Sequence, residues 1–404
     1  MTAKISQPWF GEPGASAAPA AGARARLVSI DLLRGVVMVL MTLDHCRDYL
    51  HQSAFDPRDT GQPALFLTRW ITHFCAPTFI FLAGVSAFLH GQRQQSPARL
   101  SRFLWTRGLW LVALELSLVR IGWTFDVVPR LVLLQVIWAL GVSMLALAAL
   151  VHLPRPAIAV FAVASIAGHN ALDGVVASTF GEASWAWTLL HGSDVVVGPG
   201  GISLWLLYPL VPWLGVMAGG YALGPLFHLE AARRRRALVA LGFGLLAAFA
   251  LLRATNLYGN PTPWVPRAGT IQSALAFIDC EKYPPSLSFL CMTLGPALLL
   301  LAAFDRASQR GAALWLATIG SVPLFYYLAH IYAVHGISVL VSLLSLGTAA
   351  PVLGHFPPDK PAGFGLSLPV VYALTLLLVI VLALASRAYS GLKRRRHEWW
   401  WSYL

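Results

Sequence analysis

Charged side chains are scarce in this chain. They make up 11% of the 404 residues, whereas hydrophobic residues make up 57%, and the mean hydropathy is +0.66. Because a soluble domain carries about 25% charged residues, the composition excludes an ordinary soluble fold. The apolar runs are long and well separated, which favours a bundle of membrane helices over a barrel of short alternating strands.

Cysteine and the common catalytic motifs are also scarce. The four cysteines, Cys46, Cys75, Cys280 and Cys291, show no C-x-x-C spacing and indicate neither a metal site nor a disulfide framework. The chain has no H-E-x-x-H, no G-x-S-x-G and no phosphate-binding glycine loop. We therefore expect no metal, and a phosphate-bearing ligand would need a site built from separate helices.

What the chain does contain is a series of apolar runs. They predict an all-α, polytopic membrane bundle of about ten transmembrane helices, since a bilayer needs about 20 apolar residues per span. The runs are 28–50, 64–90, 103–120, 130–151, 156–168, 201–224, 237–252, 286–304, 313–342 and 368–387.

The basic residues indicate the orientation of these spans. The net charge is +12, and Lys and Arg are concentrated at alternate ends of the runs, which places both termini in the cytoplasm by the positive-inside rule. We read the excess as topology, so no nucleic acid is expected as a partner. The main basic segments are 4–26, 93–102, 233–236, 306–310 and 387–396.

The domain organisation follows from these patterns. Residues 1–27 are rich in Gly, Ala and Pro and predict a disordered cytoplasmic tail. Residues 28–390 form the transmembrane domain. Residues 391–404 end in WWWSYL after a basic cluster, which predicts a cytoplasmic tail at the interface with membrane lipids.

The first run, SIDLLRGVVMVLMTLDHCRDYLH, carries ionisable residues at both ends. Arg34 and His45 are eleven residues apart, which is about three helical turns, so the two side chains share one face and lie roughly 16 Å apart in depth. Asp31 and Asp48 lie near the same face. An arginine binds phosphate with two hydrogen bonds, and a histidine serves as general base or acyl carrier. Structural ion pairs at the helix ends would explain the same charges.

Four further ionisable residues lie inside other runs, where such groups are functional candidates. His73 and His330 lie in the outer half, at the predicted level of His45. Arg107 would join Arg34 in an anion site, and Glu115 would orient or charge a histidine. Each of these residues would also be explained by a purely structural role, as a packing residue or a paired group within the bundle.

Five phrases of the sequence form a set with a recognisable likeness. Together they resemble the bacterial branch of the heparan-α-glucosaminide N-acetyltransferase catalytic-domain family, over most of residues 26–400. That family belongs to a wider group of transmembrane acyltransferases, which includes the acyltransferase-3 proteins. The phrases are RLVSIDLLRGVVMVLMTLDHCRDYLH, TRWITHFCAPTFIFLAGVSAFL, YPLVPWLGVMAGGYALG, KYPPSLSFLCMTLGPALLLL and VPLFYYLAHIYAVH.

The resemblance implies an acyltransferase of the bacterial inner membrane. It would take acyl-CoA, and acetyl-CoA in particular, from the cytoplasm and acylate an amine or hydroxyl of a sugar or glycan on the far face. Acyltransferase-3 proteins have an arginine, ten residues and then a histidine, which Arg34 and His45 match. One departure is that QSAFDPRDTGQPALFL lacks the catalytic histidine that the lysosomal enzyme has between its first two spans, so that role does not carry over directly. The acyltransferase-3 spacing makes His45 the first candidate for it, with His73 and His51 behind.

The sequence thus leads to one site and two rival functions. The expected catalytic residues are His45, Asp48, His73, Glu115 and His330, and the expected CoA-binding residues are Arg34, Arg107 and Asp31. Asp48 or Glu115 would orient the His45 imidazole, and Trp187 or Trp264 in the long outer loops would stack on the glycan. The same buried groups would suit a proton-coupled transporter, or a membrane scaffold without activity, and a homodimer stays open.

Overall fold

The computed structural model describes residues 27–52, 56–94, 96–128, 130–307, 313–354, 356 and 360–396. The helices are α1 (Val28–Leu50), α2 (Pro63–Thr72), α3 (Cys75–Gln94), α4 (Pro97–Leu114), α5 (Arg120–Thr124), α6 (Val136–Leu150), α7 (Arg155–Gly168), α8 (Ser184–Leu190), α9 (Leu210–Leu223), α10 (Ala231–Thr255), α11 (Thr270–Ile278), α12 (Leu287–Ala307), α13 (Leu314–Ser321), α14 (Pro323–Leu346) and α15 (Leu368–Arg395). The predicted tails over 1–26 and 397–404 lie outside the described residues.

Several of these helices have the length and composition of membrane spans. Among the described residues, six helical stretches qualify, and a bent pair over 155–172 and 177–190 raises the number to as many as seven. The helix α1 has 23 residues but carries charged side chains near both ends. A helical membrane bundle is therefore the fold, while the count of about ten spans and the cytoplasmic termini stay predictions.

The charged helix α1 runs through the middle of the bundle and packs against α3, α12, α13, α14 and α15. Its contact with α13 is backbone to backbone. A Cβ on Gly35 would lie 2.1 Å from the carbonyl oxygen of Leu316, and one on Gly320 would lie 1.9 Å from that of Asp31. Small residues permit such approaches in membrane bundles, and this one fixes the depth of α1.

A similar contact joins α3 to α9. A Cβ on Gly84 would lie 2.0 Å from the carbonyl oxygen of Met217, and one on Gly220 would lie 2.1 Å from that of Phe81. Gly84 and Gly220 therefore allow α3 and α9 to approach closely. It sets the position of the α3 residues that face α1.

The second apolar run is broken, although we expected one continuous helix. The α2 helix ends at Thr72 and α3 begins at Cys75, with a turn at His73 and Phe74 between them. Pro77 has no N–H to bond the carbonyl of His73, four residues earlier, which weakens the helix at that point. The two pieces still make one span over Pro63–Gln94.

A small sheet corrects the all-α expectation. Strands β1 (Leu131–Leu134), β2 (Val195–Val197) and β3 (Ser203–Leu206) lie in the order β1-β3-β2, with β3 parallel to β1 and antiparallel to β2. The strands LVLL and SLWL are short apolar runs that merge with the helical runs after them. Hydrophobic periodicity does not separate such a strand from a buried helix.

Three arginines hold the connecting segments at the end of α1 that bears His45. Arg120 and Arg253 donate to backbone carbonyls of the segments 126–128 and 262–279. Arg58 forms ion pairs of 3.1 Å with both Asp279 and Glu281. The segment EKYPPS, residues 281–286, precedes α12, which begins at Leu287.

Candidate active site

A cavity of about 1290 Å³ lies beside the central helix. The α1 helix contributes Asp31, Arg34, Met38 and Met41 to its wall. These residues are three or four apart, so they form one stripe along α1. The next residue on the stripe, four beyond Met41, is His45. The eleven-residue spacing of Arg34 and His45 holds, because α1 is one uninterrupted helix.

A second stripe of residues reaches the same depth from α14. Pro323, Leu324 and Tyr327 line the cavity, and the next residue on that face, three beyond Tyr327, is His330. The two stripes therefore run along the cavity and meet at the pair His45 and His330. This convergence is the central feature of the site.

The opposite end of the cavity is cationic. Its lining there includes the side chains of Arg34, Arg93, Arg107 and Lys393, and among the described residues that line the cavity Asp31 is the one carboxylate. The prediction that Arg107 joins Arg34 is consistent with this arrangement, since both line one cavity. Two histidines, His90 and His228, and the ring of Phe103 complete this end.

Contacts with neighbouring residues orient the two predicted CoA-binding arginines. Arg34 donates to Ser86 Oγ at 2.5 Å, and its Nη1 lies 3.5 Å from Asp31 Oδ1. The guanidinium of Arg107 lies 4.9 Å from the centre of the Phe103 ring, and His90 stacks on the same ring with centroids 3.9 Å apart. Such a cation–π contact holds a guanidinium in place without consuming its hydrogen bonds.

At the deep end the two histidines are hydrogen bonded. His45 Nδ1 lies 2.6 Å from His330 Nε2, and the rings stack with centroids 4.8 Å apart. His330 Nδ1 lies 3.1 Å from the carbonyl oxygen of Tyr326. His330 is fully buried, whereas His45 is half-buried.

The hydrogen bonds assign the protons of this pair. A carbonyl oxygen only accepts, so His330 Nδ1 carries a proton and its Nε2 is the acceptor in the neutral ring. His45 Nδ1 therefore donates to His330, and the lone pair of His45 lies on Nε2. Within the described residues that nitrogen makes no hydrogen bond. A buried partner that sets the tautomer in this way is the usual device for orienting a catalytic histidine.

Aromatic rings surround the histidine pair. Trp123 meets His45 edge to face with centroids 4.7 Å apart, and Tyr49 donates to the Trp123 carbonyl at 2.5 Å. The ring of Tyr327, which also lines the cavity, lies 5.4 Å from the His330 ring, measured between centroids. These rings leave the half-buried side of His45 as the approach to its Nε2.

Glu115 does not orient His45. Its Oε2 accepts the backbone N–H of Trp138 at 2.9 Å, in the first turn of α6, where a carboxylate complements the helix dipole. Glu115 also begins the π-helical segment Glu115–Val119, and such bulges recur at functional sites. The fully buried carboxylate therefore joins α4 to the start of α6.

Within the described residues, Asp48 forms no hydrogen bond with His45 and is held instead by an arginine. Arg47 Nη2 lies 2.6 Å from Asp48 and 2.8 Å from Asp44, and Asp44 also accepts from Thr72 at 2.7 Å. Arg47 thus forms an ion pair with the Asp48 carboxylate, while the His45 ring forms a hydrogen bond with His330. Arg47 and His51 are both buried.

His73 lies in this polar region but without a contact to His45. It is buried, and neither ring nitrogen has a hydrogen-bond partner within the described part of the chain. The expected stacking platforms pack inside their own segments, Trp187 against Phe180 and Trp264 against Phe277. Among the described residues, no group of three or more His, Cys, Asp or Glu is placed to hold a metal.

Comparison with known proteins identifies the family. The family model described as heparan-alpha-glucosaminide N-acetyltransferase, catalytic, matches residues 26–257, which is more than half of the chain. The chain belongs to this family. No curated protein matches it. Membership makes the chain a membrane acetyltransferase in general terms.

The match to the N-acetyltransferase family covers one part of the site. It includes Arg34, His45 and Arg107 but ends before α14, which supplies His330. The resemblance we inferred over most of residues 26–400 is thus matched as far as residue 257. The histidine pair joins one residue inside the matched region to one outside it.

Sequence reasoning missed two aromatic residues of the candidate site. Trp123 and Tyr327 contact the histidines, but aromatic residues in an apolar helix give no signal that separates a site from packing.

Proposed function

We propose that this chain transfers an acetyl group from cytoplasmic acetyl-CoA to an amine or hydroxyl of a sugar on the opposite face of the membrane. The observation that supports the proposal best is the convergence of the α1 and α14 stripes. They line one cavity whose cationic end lies at Arg34, and along the same helix faces they continue past Met41 and Tyr327 to the histidine pair. The positive charge that would bind the donor phosphates and the histidine that would act as base therefore lie along the same face of α1.

The cavity suits a large anionic donor. Its volume of about 1290 Å³ exceeds the range of roughly 300–1,000 Å³ that is typical of ligand pockets. The phosphates of acetyl-CoA would be held by Arg34, Arg93, Arg107 and Lys393, since charge-assisted bonds to phosphate are strong. Met38 and Met41 lie between these cations and His45, and their flexible thioethers suit an extended apolar arm.

The histidine pair suits proton transfer from the acceptor. Bound acetyl-CoA would supply a thioester carbonyl near His45. His45 Nε2 takes the proton from the acceptor N–H or O–H as the new C–N or C–O bond forms. The C–S bond breaks, and the imidazolium returns the proton to the departing thiolate. His330 holds the His45 ring throughout and keeps its lone pair on Nε2.

The direction of transfer follows from the charge at the two ends. Arg93 and Lys393 at the cationic end of the cavity belong to basic segments that the positive-inside rule places in the cytoplasm. The half-buried side of His45 then faces the other side of the membrane. The donor and the acceptor would reach the histidine pair from opposite directions.

Binding of acetyl-CoA to the purified protein tests the donor site. We expect Arg34→Gln and Arg107→Gln each to raise the Kd for acetyl-CoA by about 10- to 100-fold, the cost of one charge-assisted hydrogen bond. Arg102→Gln is the matched control, since Arg102 lies on α4 with Arg107 but is exposed and lies outside the cavity. Isothermal titration calorimetry in detergent gives the constants.

Two results would contradict the proposed donor site. One is a wild-type protein that does not bind acetyl-CoA. The other is an equal Kd for Arg34→Gln, Arg107→Gln and the Arg102→Gln control, which would mean that the cationic end of the cavity does not contact the phosphates.

A further inference from the structure

Two buried hydrogen-bond donors beside the histidine pair have no acceptor. Trp123 is 1% exposed and Tyr327 is 2% exposed. Within the described residues, neither Trp123 Nε1 nor the Tyr327 hydroxyl has a hydrogen-bond partner. Buried polar groups almost always find a partner in the protein or in water, and leaving one unsatisfied is unfavourable. Two such donors next to the proposed reacting groups therefore indicate a place where a bound molecule accepts hydrogen bonds.

Measured ring contacts join both donors to the histidine pair. The Trp123 ring lies 4.7 Å from the His45 ring, centroid to centroid. The Tyr327 ring lies 5.4 Å from the His330 ring, and the two histidine rings are 4.8 Å apart. Tyr327 also lines the cavity, about one helical turn before His330. A thioester that extends from the cavity toward His45 therefore passes the Tyr327 side chain.

The proton of the Tyr327 hydroxyl is available to a ligand. Trp123 acts on this hydroxyl, but an indole N–H only donates, so it cannot accept the tyrosine proton. Glu115 acts on the hydroxyl as well, yet its Oε1 has no hydrogen-bond partner in the described part of the chain. The hydroxyl therefore does not donate to that carboxylate.

The two other tyrosines that pack near the pair are already engaged. The Tyr49 hydroxyl donates to the Trp123 carbonyl oxygen at 2.5 Å. The Tyr326 hydroxyl lies 2.8 Å from Thr42 Oγ1, and this threonine hydroxyl donates in turn to the Met38 carbonyl oxygen at 3.1 Å. Tyr326 therefore donates to Thr42. Of these three tyrosines, Tyr327 is the one whose hydroxyl has no partner within the described residues.

We propose that Tyr327 is a catalytic residue whose hydroxyl stabilises the oxyanion that forms on the acetyl group during transfer, with the Trp123 N–H beside it as a second donor. This inference rests on the proposed acetyl transfer and adds the electrostatic part of that reaction. A preorganised donor in a water-poor site stabilises such a developing charge strongly, because it needs no reorganisation at the moment of reaction.

The reaction places a full charge on the carbonyl oxygen for a short time. The acceptor nitrogen or oxygen forms its bond to the carbonyl carbon as His45 takes the proton, and the electron pair of the C=O bond moves to oxygen. Tyr327 donates a hydrogen bond to that oxygen and keeps its own proton. The C=O bond then forms again, the C–S bond breaks, and the thiolate receives the proton from His45.

Substitution of Tyr327 by phenylalanine removes the hydroxyl and keeps the ring. Tyr327→Phe should lower kcat for acetylation of glucosamine by about 100- to 1000-fold, as for one oxyanion donor, and change the KM for acetyl-CoA by less than about threefold. The control is Tyr332→Phe on the same helix, because that hydroxyl bonds to the Leu118 carbonyl oxygen at 2.8 Å and lies outside the cavity. It should change kcat by less than about threefold.

Two further measurements separate this role from a structural one. Tyr327→Phe should keep the wild-type melting temperature, because its hydroxyl has no partner to lose. Infrared spectroscopy of bound acetyl-CoA with a carbon-13 carbonyl should show a lower C=O stretching frequency in wild type than in Tyr327→Phe, since a hydrogen bond to the oxygen weakens the C=O bond.

Each outcome decides the role of Tyr327. Equal kcat values for Tyr327→Phe and Tyr332→Phe would overturn it while acetyl transfer stands. A Tyr327→Phe variant that melts well below wild type or does not fold would mean that the hydroxyl serves a structural partner such as Glu115, which also overturns the role. If wild type does not acetylate glucosamine, the infrared comparison decides, and equal frequencies overturn it. If wild type does not bind acetyl-CoA, the proposed function fails and the role fails with it.

Discussion

His45 and His330 lie 285 residues apart in the chain, and their hydrogen bond of 2.6 Å decides which nitrogen of His45 is basic. His330 has no direct access to the cavity in our account. It acts through His45, by accepting from Nδ1 and leaving the lone pair on Nε2. The account therefore assigns the two histidines different chemical roles.

Substitution of His330 tests this division of roles. His330→Ala should lower kcat by about 10- to 100-fold, from the one to three kcal/mol of an orienting hydrogen bond, and change the KM for acetyl-CoA by less than about twofold. His330→Gln should recover part of the loss, since its amide oxygen can accept from Nδ1. Steady-state kinetics of these variants and of the exposed control His152→Ala give the comparison. Equal losses in both His330 variants would argue against tautomer control.

At the level of elements, the site depends on how closely α1 packs against its neighbours. Gly35 brings the α1 backbone against Leu316, one residue from Arg34. Ser86, which accepts from Arg34, lies on α3 two residues from the close contact at Gly84. The depth of the cationic end is thus set by backbone contacts between helices.

A methyl group at this contact should disturb the bundle. Gly35→Ala places a Cβ 2.1 Å from the Leu316 carbonyl oxygen, and overpacking of this kind costs about 1–3 kcal/mol. We expect a lower melting temperature in detergent and weaker acetyl-CoA binding. Gly244→Ala is the control, because a Cβ at Gly244 on α10 meets nothing within 4 Å. An unchanged melting temperature for Gly35→Ala would contradict the proposed packing.

At the level of the whole molecule, the sequence predicted features within one helix better than contacts between helices. The apolar runs predicted a helical membrane bundle, and helical spacing placed Arg34 and His45 on one stripe because only α1 was involved. The pairing of His45 with His330 depends on tertiary packing that spacing does not encode, since α1 and α14 are far apart in the chain. The strands β1 and β3 were missed for a local reason, since a four-residue apolar strand has no period of its own.

At this scale the central proposal is that the protein transfers an acetyl group from one side of the membrane to the other. The cationic end of the cavity and the half-buried side of His45 lie at different depths along α1, roughly 16 Å apart from Arg34 to His45. A donor at one end and an acceptor at the other would therefore meet only inside the protein. A soluble donor and acceptor kept in separate compartments provide the direct test.

The decisive measurement uses proteoliposomes that contain labelled acetyl-CoA only inside and an amino sugar only outside. Glucosamine and glucosamine 6-phosphate serve as the sugars. Only protein molecules whose predicted cytoplasmic face points into the vesicle can react, so the rate is normalised to that fraction. We predict labelled sugar outside with the wild-type protein, and a rate lower by about 100-fold or more with His45→Ala, as for loss of a general base. The account would be contradicted if His45→Ala transferred label as fast as wild type, or if transfer required donor and acceptor on the same side.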